Sequence, residues 1–338
     1  MTFTDPAATA VEIPGLVFRA FAGEADLPEA VRIGNAEWVA DGVSSRASLD
    51  DQRAWWSHPS EQFDPARDVD IVELGGRMVA IAERSWIDTS DGVREYRSRC
   101  WVDPSVRRRG IGTVMLRRNE AEARELAATH EADRPRAHGF GTADTSAGAP
   151  ILAERSGYTP VRWFADMERS LTDELPEVPE LPDGLEIRAV SAADAPAIWR
   201  ADHDAFRDHW GGFDDSEASY RRWIESPDFQ PERMVVAWDG EEVAAAVLNA
   251  VYPEENRQLG LKRGWLDSVF TRRAWRRRGL ARALIVRSLH RLRSEGLEAA
   301  ALGVDAANPS GAFGLYESAG FRVTERFTQW RKPMEGGR

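Results

Sequence analysis

Two halves of this chain repeat one another, and that repeat constrains the fold more than any single motif. Gly110 and Gly279 stand 169 positions apart (279 − 110), half of the 338 residues, and Arg19 and Arg188 share that offset. Trp55 and Trp223 are 168 apart, and the pairs Gly157-Tyr158 and Gly320-Phe321 are 163 apart. An ordered series of near-equal spacings reads as a tandem duplication. At this length two domains fit, each long enough to bury its own core. The expected division is residues 1–171, a proline- and acid-rich linker over 172–184, and residues 185–338. Prolines and acids without periodicity read as an exposed, fairly stiff spacer.

Each half runs in the same order. A first strand (17–21; 186–190) leads into helical segments (26–41; 193–207) and then a tryptophan-bearing helical patch. A hairpin follows, 70–73 with 78–86 around Leu74-Gly75-Gly76-Arg77, and 234–238 with 243–251 around Asp239-Gly240-Glu241-Glu242. Glycine turns between apolar runs are strong hairpin signals. Next come a strand, an arginine-glycine turn and a long amphipathic helix. The second copy puts Leu280, Leu284, Ser288, Leu289 and Leu292 on one helical face. A strand over 299–304, a helix over 309–319 and a strand over 322–331 close the second half. This order predicts an α/β (α+β) mixed sheet with helices on its faces.

The turns carry the first chemical signal. Arg276-Arg277-Arg278-Gly279-Leu280-Ala281 precedes a helix, and Arg107-Arg108-Arg109-Gly110-Ile111-Gly112 repeats it. A helix N-terminus leaves backbone N–H groups unpaired at the positive end of the macrodipole, and glycine lets an anion come close. Both turns read as pyrophosphate cradles. Neither a P-loop nor a third glycine of a dinucleotide fingerprint is present. The formal net charge of −12 argues against nucleic-acid binding and mildly favours cationic small substrates. No apolar run is long enough to span a membrane, and the N-terminus lacks the pattern of a signal peptide. Cys100 is the single cysteine, which excludes an internal disulfide and suits a cytoplasmic location.

Trp265-Leu266-Asp267-Ser268-Val269-Phe270-Thr271, the turn at 276–281, Asp305-Ala306-Ala307-Asn308-Pro309, and Leu315-Tyr316-Glu317-Ser318-Ala319-Gly320-Phe321 together resemble the GNAT acetyltransferase superfamily. The tandem layout and the stretch 304–308 are similar to those of the mycothiol synthases. The resemblance implies two GNAT-like domains, each a mostly antiparallel mixed sheet flanked by helices, and acetyl-CoA as co-substrate. The pyrophosphate would lie on the amides of Arg277, Arg278, Gly279, Leu280 and Ala281, beside Arg276. The pantetheine arm would pair with Val269, Phe270 and Thr271, aided by Asn308. The N–H of Val269 or Phe270 would face the thioester oxygen. Tyr316 matches the family's proton donor to the leaving thiolate. Asp267 sits where a general base often stands, although an Asp satisfying backbone donors there is an equal structural account.

In the first half Ala153 aligns with Tyr316, Ser98 with Asp267, and Thr145 or a neighbour with Asn308. Chemistry is therefore expected in the second half alone: direct attack by the primary amine of a small molecule in a ternary complex. The alternatives are a mycothiol synthase-type acetyltransferase and a non-catalytic acyl-CoA-binding module. The segment 201–215 is rich in acids and aromatics, so His203, Phe206, His209 and Trp210 are the candidate acceptor contacts, against a packing role for Phe206 and Trp210. The histidines lack metal-ligand spacing, and no metal is assigned. The chain is expected to be a monomer or homodimer.

Overall fold

The computed structural model describes residues 13–207, 209–212, 214–307 and 311–334. The first half runs β1 (Leu16–Ala20), α1 (Leu27–Asp41), α2 (Leu49–Ser57), α3 (Pro65–Asp68), β2 (Val69–Leu74), β3 (Arg77–Asp88), β4 (Arg94–Val102), α4 (Ile111–Thr129), β5 (Arg136–Ala143), α5 (Ala149–Arg155) and β6 (Thr159–Ser170). The second runs β7 (Leu185–Ile187), α6 (Ala195–Phe206), α7 (Glu217–Ile224), β8 (Val235–Asp239), β9 (Glu242–Ala250), α8 (Pro253–Leu259), β10 (Arg263–Thr271), α9 (Leu280–Ser294), β11 (Ala299–Asp305), α10 (Ala312–Ser318) and β12 (Arg322–Pro333). The repeat is thus a repeat of structure, with α3 found only in the first copy and α8 only in the second.

Local chemistry explains most of these elements. Gly75 and Gly76, at φ 60° and 77°, supply the two left-handed residues of the tight β2–β3 turn. Ser48 and Asp51 form a capping box at the start of α2. Along β8 the side chains alternate: Val235 and Ala237 face α9, while Val236 and Trp238 face α6. Leu280, Leu284, Leu289 and Leu292 of α9 are at most 2% exposed, so the predicted helical face is the buried one.

All strands join one 12-stranded sheet in the order β1-β2-β3-β4-β5-β12-β6-β11-β10-β9-β8-β7. Its middle is interleaved. The last strand of the first half, β6, pairs with β11, and the last strand of the second half, β12, pairs with β5. Each half is completed by a strand from the other. Each visiting strand also brings an arginine to a buried carboxylate. Arg162 of β6 meets Asp305 at 2.6 Å, and Arg331 of β12 meets Glu95 at 2.7 Å. These arginines are 169 residues apart (331 − 162).

The segment between the halves is less of a spacer than its composition predicts. Leu171 and Leu175 are buried in the core under α9, and His290 Nε2 lies 2.8 Å from the Pro176 carbonyl. The leucines set among the acids and prolines bury enough apolar surface to pin the segment down.

Candidate active site

Both arginine-glycine turns adopt the same backbone. Arg108 and Arg277, each at φ 63°, are the only non-glycine residues with positive φ among those described. Such a conformation costs about 1–3 kcal/mol and persists where the surroundings enforce it. Gly110 (φ 86°) and Gly279 (φ 78°) are the N-caps of α4 and α9, and neither helix has a side-chain cap. In α9 the Gly279 carbonyl accepts from Ala283 N–H at 3.1 Å, so the N–H groups of Leu280, Ala281 and Arg282 have no acceptor within the helix. Convergent N–H groups of this kind form an anion cradle. Arg276 anchors the turn by donating to the carbonyls of Thr271 (3.0 Å) and Ala205 (2.9 Å), whereas Arg277 and Arg278 are exposed.

Beside this cradle the sheet opens. β10 and β11 are parallel and pair only from Arg263↔Ala299 to Trp265↔Ala301. β10 then carries an irregularity between Leu266 and Ser268, and continues along β9 alone. Arg272 N–H donates to the Ala244 carbonyl at 3.0 Å. Because N–H groups alternate along a strand, those of Val269 and Thr271 face the opening, and that of Phe270 faces β9. Of the two predicted oxyanion donors, geometry therefore favours Val269; the Phe270 ring is 4% exposed, in the core against α6. The Thr271 hydroxyl is buried without a partner.

Asp267 is the residue at the irregularity. The Tyr252 hydroxyl donates to its Oδ2 at 2.6 Å. The carboxyl reaches water through the cleft but is set deep among protein atoms. That setting pushes it up to about 6, Glu255 adds to the rise, and the Tyr252 bond opposes it. It borders a cavity of about 430 Å³ shared between the halves, with Trp38, Asp51 and Trp55 on one side and Asp228, Tyr252 and Trp265 on the other. A second cavity of about 210 Å³, lined by Trp199, Asp202 and Trp223, meets the first at Asp228 and Asp267. Burial raises the Asp228 carboxyl, and its contact with the Asp51 carboxyl raises it further. Indole rings and carboxyl groups line these walls together with Arg46 and Arg222; the carboxyls outnumber the arginines, which suits a cationic ligand.

Tyr316 of α10 is 6% exposed, its ring centroid 6.1 Å from that of Phe321, and burial pushes its phenol up to about 12. It lines neither cavity. Asn308 lies outside the described residues. Burial raises the Cys100 thiol to about 12, so it is no ready nucleophile.

The structure redistributes the predicted acceptor contacts. His203 packs at a tilt against Trp199 (centroids 3.9 Å apart), behind the smaller cavity. Phe206 packs against the core on the α6 face and meets His209 edge-on. His209 and Trp210 do not stand at the Asp267 cavity. Their loop crosses into the first half, where Trp210 Nε1 donates to Asp91 (3.1 Å), Arg97 donates to the Gly211 carbonyl (2.9 Å), and Arg331 lies over the Trp210 ring. The reciprocal loop of the first half enters the second: Arg263 donates to the Ser44 carbonyl at 2.7 Å. Interleaving of the sheet thus puts each half's helical loop beside the other half's site. Tyr252, Asp228, Asp51 and Trp38 were not singled out by sequence, since no local pattern announces a wall built from two distant segments.

The acetyltransferase (GNAT) family model matches residues 31–140 and 196–321. The mycothiol acetyltransferase of Geodermatophilus obscurus is 29% identical over 311 residues, covering 88% of this chain and 91% of that protein. That of Streptomyces scabiei is 30% identical over 264 residues, covering 77% and 78%. Among solved structures, a GCN5-related N-acetyltransferase from Sphaerobacter thermophilus superposes with a TM-score of 0.69 at 26% identity, covering 96% of this chain and 98% of that one. A tandem GNAT protein from the clavulanic acid biosynthesis pathway shares the fold, with a TM-score of 0.67 at 17% identity over 94% and 98% of the two chains. The chain belongs to the GNAT family, in its tandem form, and is an acetyltransferase.

Proposed function

We propose that the second half transfers the acetyl group of acetyl-CoA to the primary amine of a cationic small molecule, by direct attack in a ternary complex. The acetyl-CoA pyrophosphate rests on the amides of Arg277–Ala281, and its pantetheine arm runs along the open edge of β10 at Val269–Thr271. The acceptor enters through the cavity between the halves. Asp267 takes the ammonium proton, directly or through a water, and the free amine then attacks the thioester carbon. Val269 N–H stabilises the negative oxygen that develops. The carbon–sulfur bond breaks, and Tyr316 gives a proton to the departing CoA thiolate. The observation that carries this reading is Asp267: a carboxyl at the irregular residue of β10, bonded by Tyr252, pushed up to about 6 by its burial, and facing the larger cavity beside the cradle.

The test is release of free CoA, followed with a thiol reagent, across a panel of amines. Amine-dependent release, lowered about a hundredfold or more in kcat by Asp267→Asn, is expected from the usual size of a general-base contribution. Binding of acetyl-CoA without amine-dependent release would favour a non-catalytic module. The similarity to mycothiol acetyltransferases over most of the chain favours a second reading of the acceptor, as the amine acetylated in forming mycothiol. That compound belongs in the panel.

A further inference from the structure

The first half has the cradle but not the open edge. Asp103 N–H donates to the Val79 carbonyl at 2.8 Å, so Val102 N–H points the other way. It faces the gap where β4 and β5 part after their last pair, Arg97↔Gly139. There the carboxylate of Glu37, from α1, accepts the Val102 N–H. The matching group in the second half is Thr271 N–H, 169 residues on (271 − 102), which faces the opening beside Asp267. The residue 169 positions after Glu37 is Phe206, whose ring is turned into the core and has no acceptor to offer.

The turn itself is also tied down. Arg107 forms a two-pronged pair with Asp41 at 2.7 and 3.1 Å. The Arg108 guanidinium donates to the Ala147 carbonyl at 3.0 Å, bridging from the start of α4 to the residues just ahead of α5. An acyl-CoA arm entering this gap would have to take Val102 N–H from a carboxylate. The displaced carboxyl, which burial pushes up to about 7, would keep only Arg107, 3.7 Å away, as a partner.

We infer that Glu37 and Arg108 hold the acyl-CoA track of the first half shut, so that the chain binds one acyl-CoA, on the second cradle. This inference rests on the acyl-CoA reading of that cradle. It also gives the duplicated turn a role: its strained backbone is retained, and the ligand's place is filled by side chains of the chain itself.

Calorimetric titration of the full chain with CoA tests it. Wild type takes up one equivalent, and Gly279→Glu, which puts a carboxylate in the second cradle, removes it. The double variant Glu37→Ala/Arg108→Ala takes up two equivalents, and keeps one when Gly279→Glu is added. Two equivalents in wild type, one that survives Gly279→Glu, or a single equivalent in a folded double variant each overturn the closure. No uptake by wild type, with one equivalent gained in the double variant, refutes the acyl-CoA reading of the second half and leaves the closure standing. No uptake by any form refutes both. Should the double variant fail to fold, hydrogen exchange of wild type decides: CoA slows exchange over 267–272 and leaves 98–103 unchanged. Protection over 98–103 overturns the inference.

Discussion

Tyr252→Phe isolates the hydrogen bond that sets the acidity of the proposed base. The Tyr252 hydroxyl is 2.6 Å from Asp267 Oδ2 and favours the ionised carboxylate. A hydrogen bond to a charged group is worth about 1.5–3 kcal/mol, and one pKa unit is 1.36 kcal/mol. Asp267 is open to water on its cleft side, so screening argues for the lower figure, about one unit. The carboxyl then moves from about 6 toward roughly 7. At pH 6 half of the wild-type base is ionised, against about a tenth in the variant, so kcat falls about fivefold there and little at pH 8. The assay is CoA release at saturating acetyl-CoA and amine across pH 5 to 9. An acidic limb that stays in place, or moves to lower pH, refutes the role given to the pair. A limb absent from both proteins refutes Asp267 as the base.

Three further outcomes follow from the same geometry. Tyr316→Phe lowers kcat about a hundredfold at unchanged acetyl-CoA affinity, read by pairing turnover with calorimetry; an equal effect on both would leave Tyr316 a packing residue. Arg331→Met removes one partner of Glu95, which is fully buried, and costs about 3 kcal/mol in a denaturant melt, the low end for breaking a buried pair because Arg97 still holds the other oxygen. The fragments 1–171 and 172–338 are unfolded by hydrogen exchange when expressed alone and gain structure when mixed, whereas the intact chain melts in one step. A well-folded single fragment would show that the exchanged strands are dispensable.

The repeat was readable from its constant offset, and the hairpins, the buried face of α9 and the two arginine-glycine turns were readable because each depends on neighbours a few residues apart. The strand exchange left no such trace. β6 and β12 have the same pattern whichever half receives them, and edge-to-edge choice is decided by contacts far away in sequence. Arg162 and Arg331, at the offset of the repeat, are its nearest written sign, yet only their buried partners Asp305 and Glu95 reveal what they do. The stretch 201–215 divides for the same cause: Asp202 lines the smaller cavity of its own half, whereas His209 and Trp210 sit in a loop that lies against the first half. Asp267 could be picked out by its place before the turn; Tyr252 could not, because nothing before β10 marks the residue that will reach it.

The interleaved strands bear on how the two copies came to differ. A single-copy ancestor exchanging its last strand would have done so with a second identical molecule, and every substitution would have appeared on both sides of the pair. Joining the two in one chain ends that compulsory symmetry. Position 98 can be serine while position 267 is aspartate, and position 37 glutamate while position 206 is phenylalanine. Neither copy can be lost, however, because each still supplies the other's missing strand. On the closure inferred above, the first half is thereby kept as a structural partner, and its residues Trp38, Asp51 and Trp55 line the cavity at Asp267.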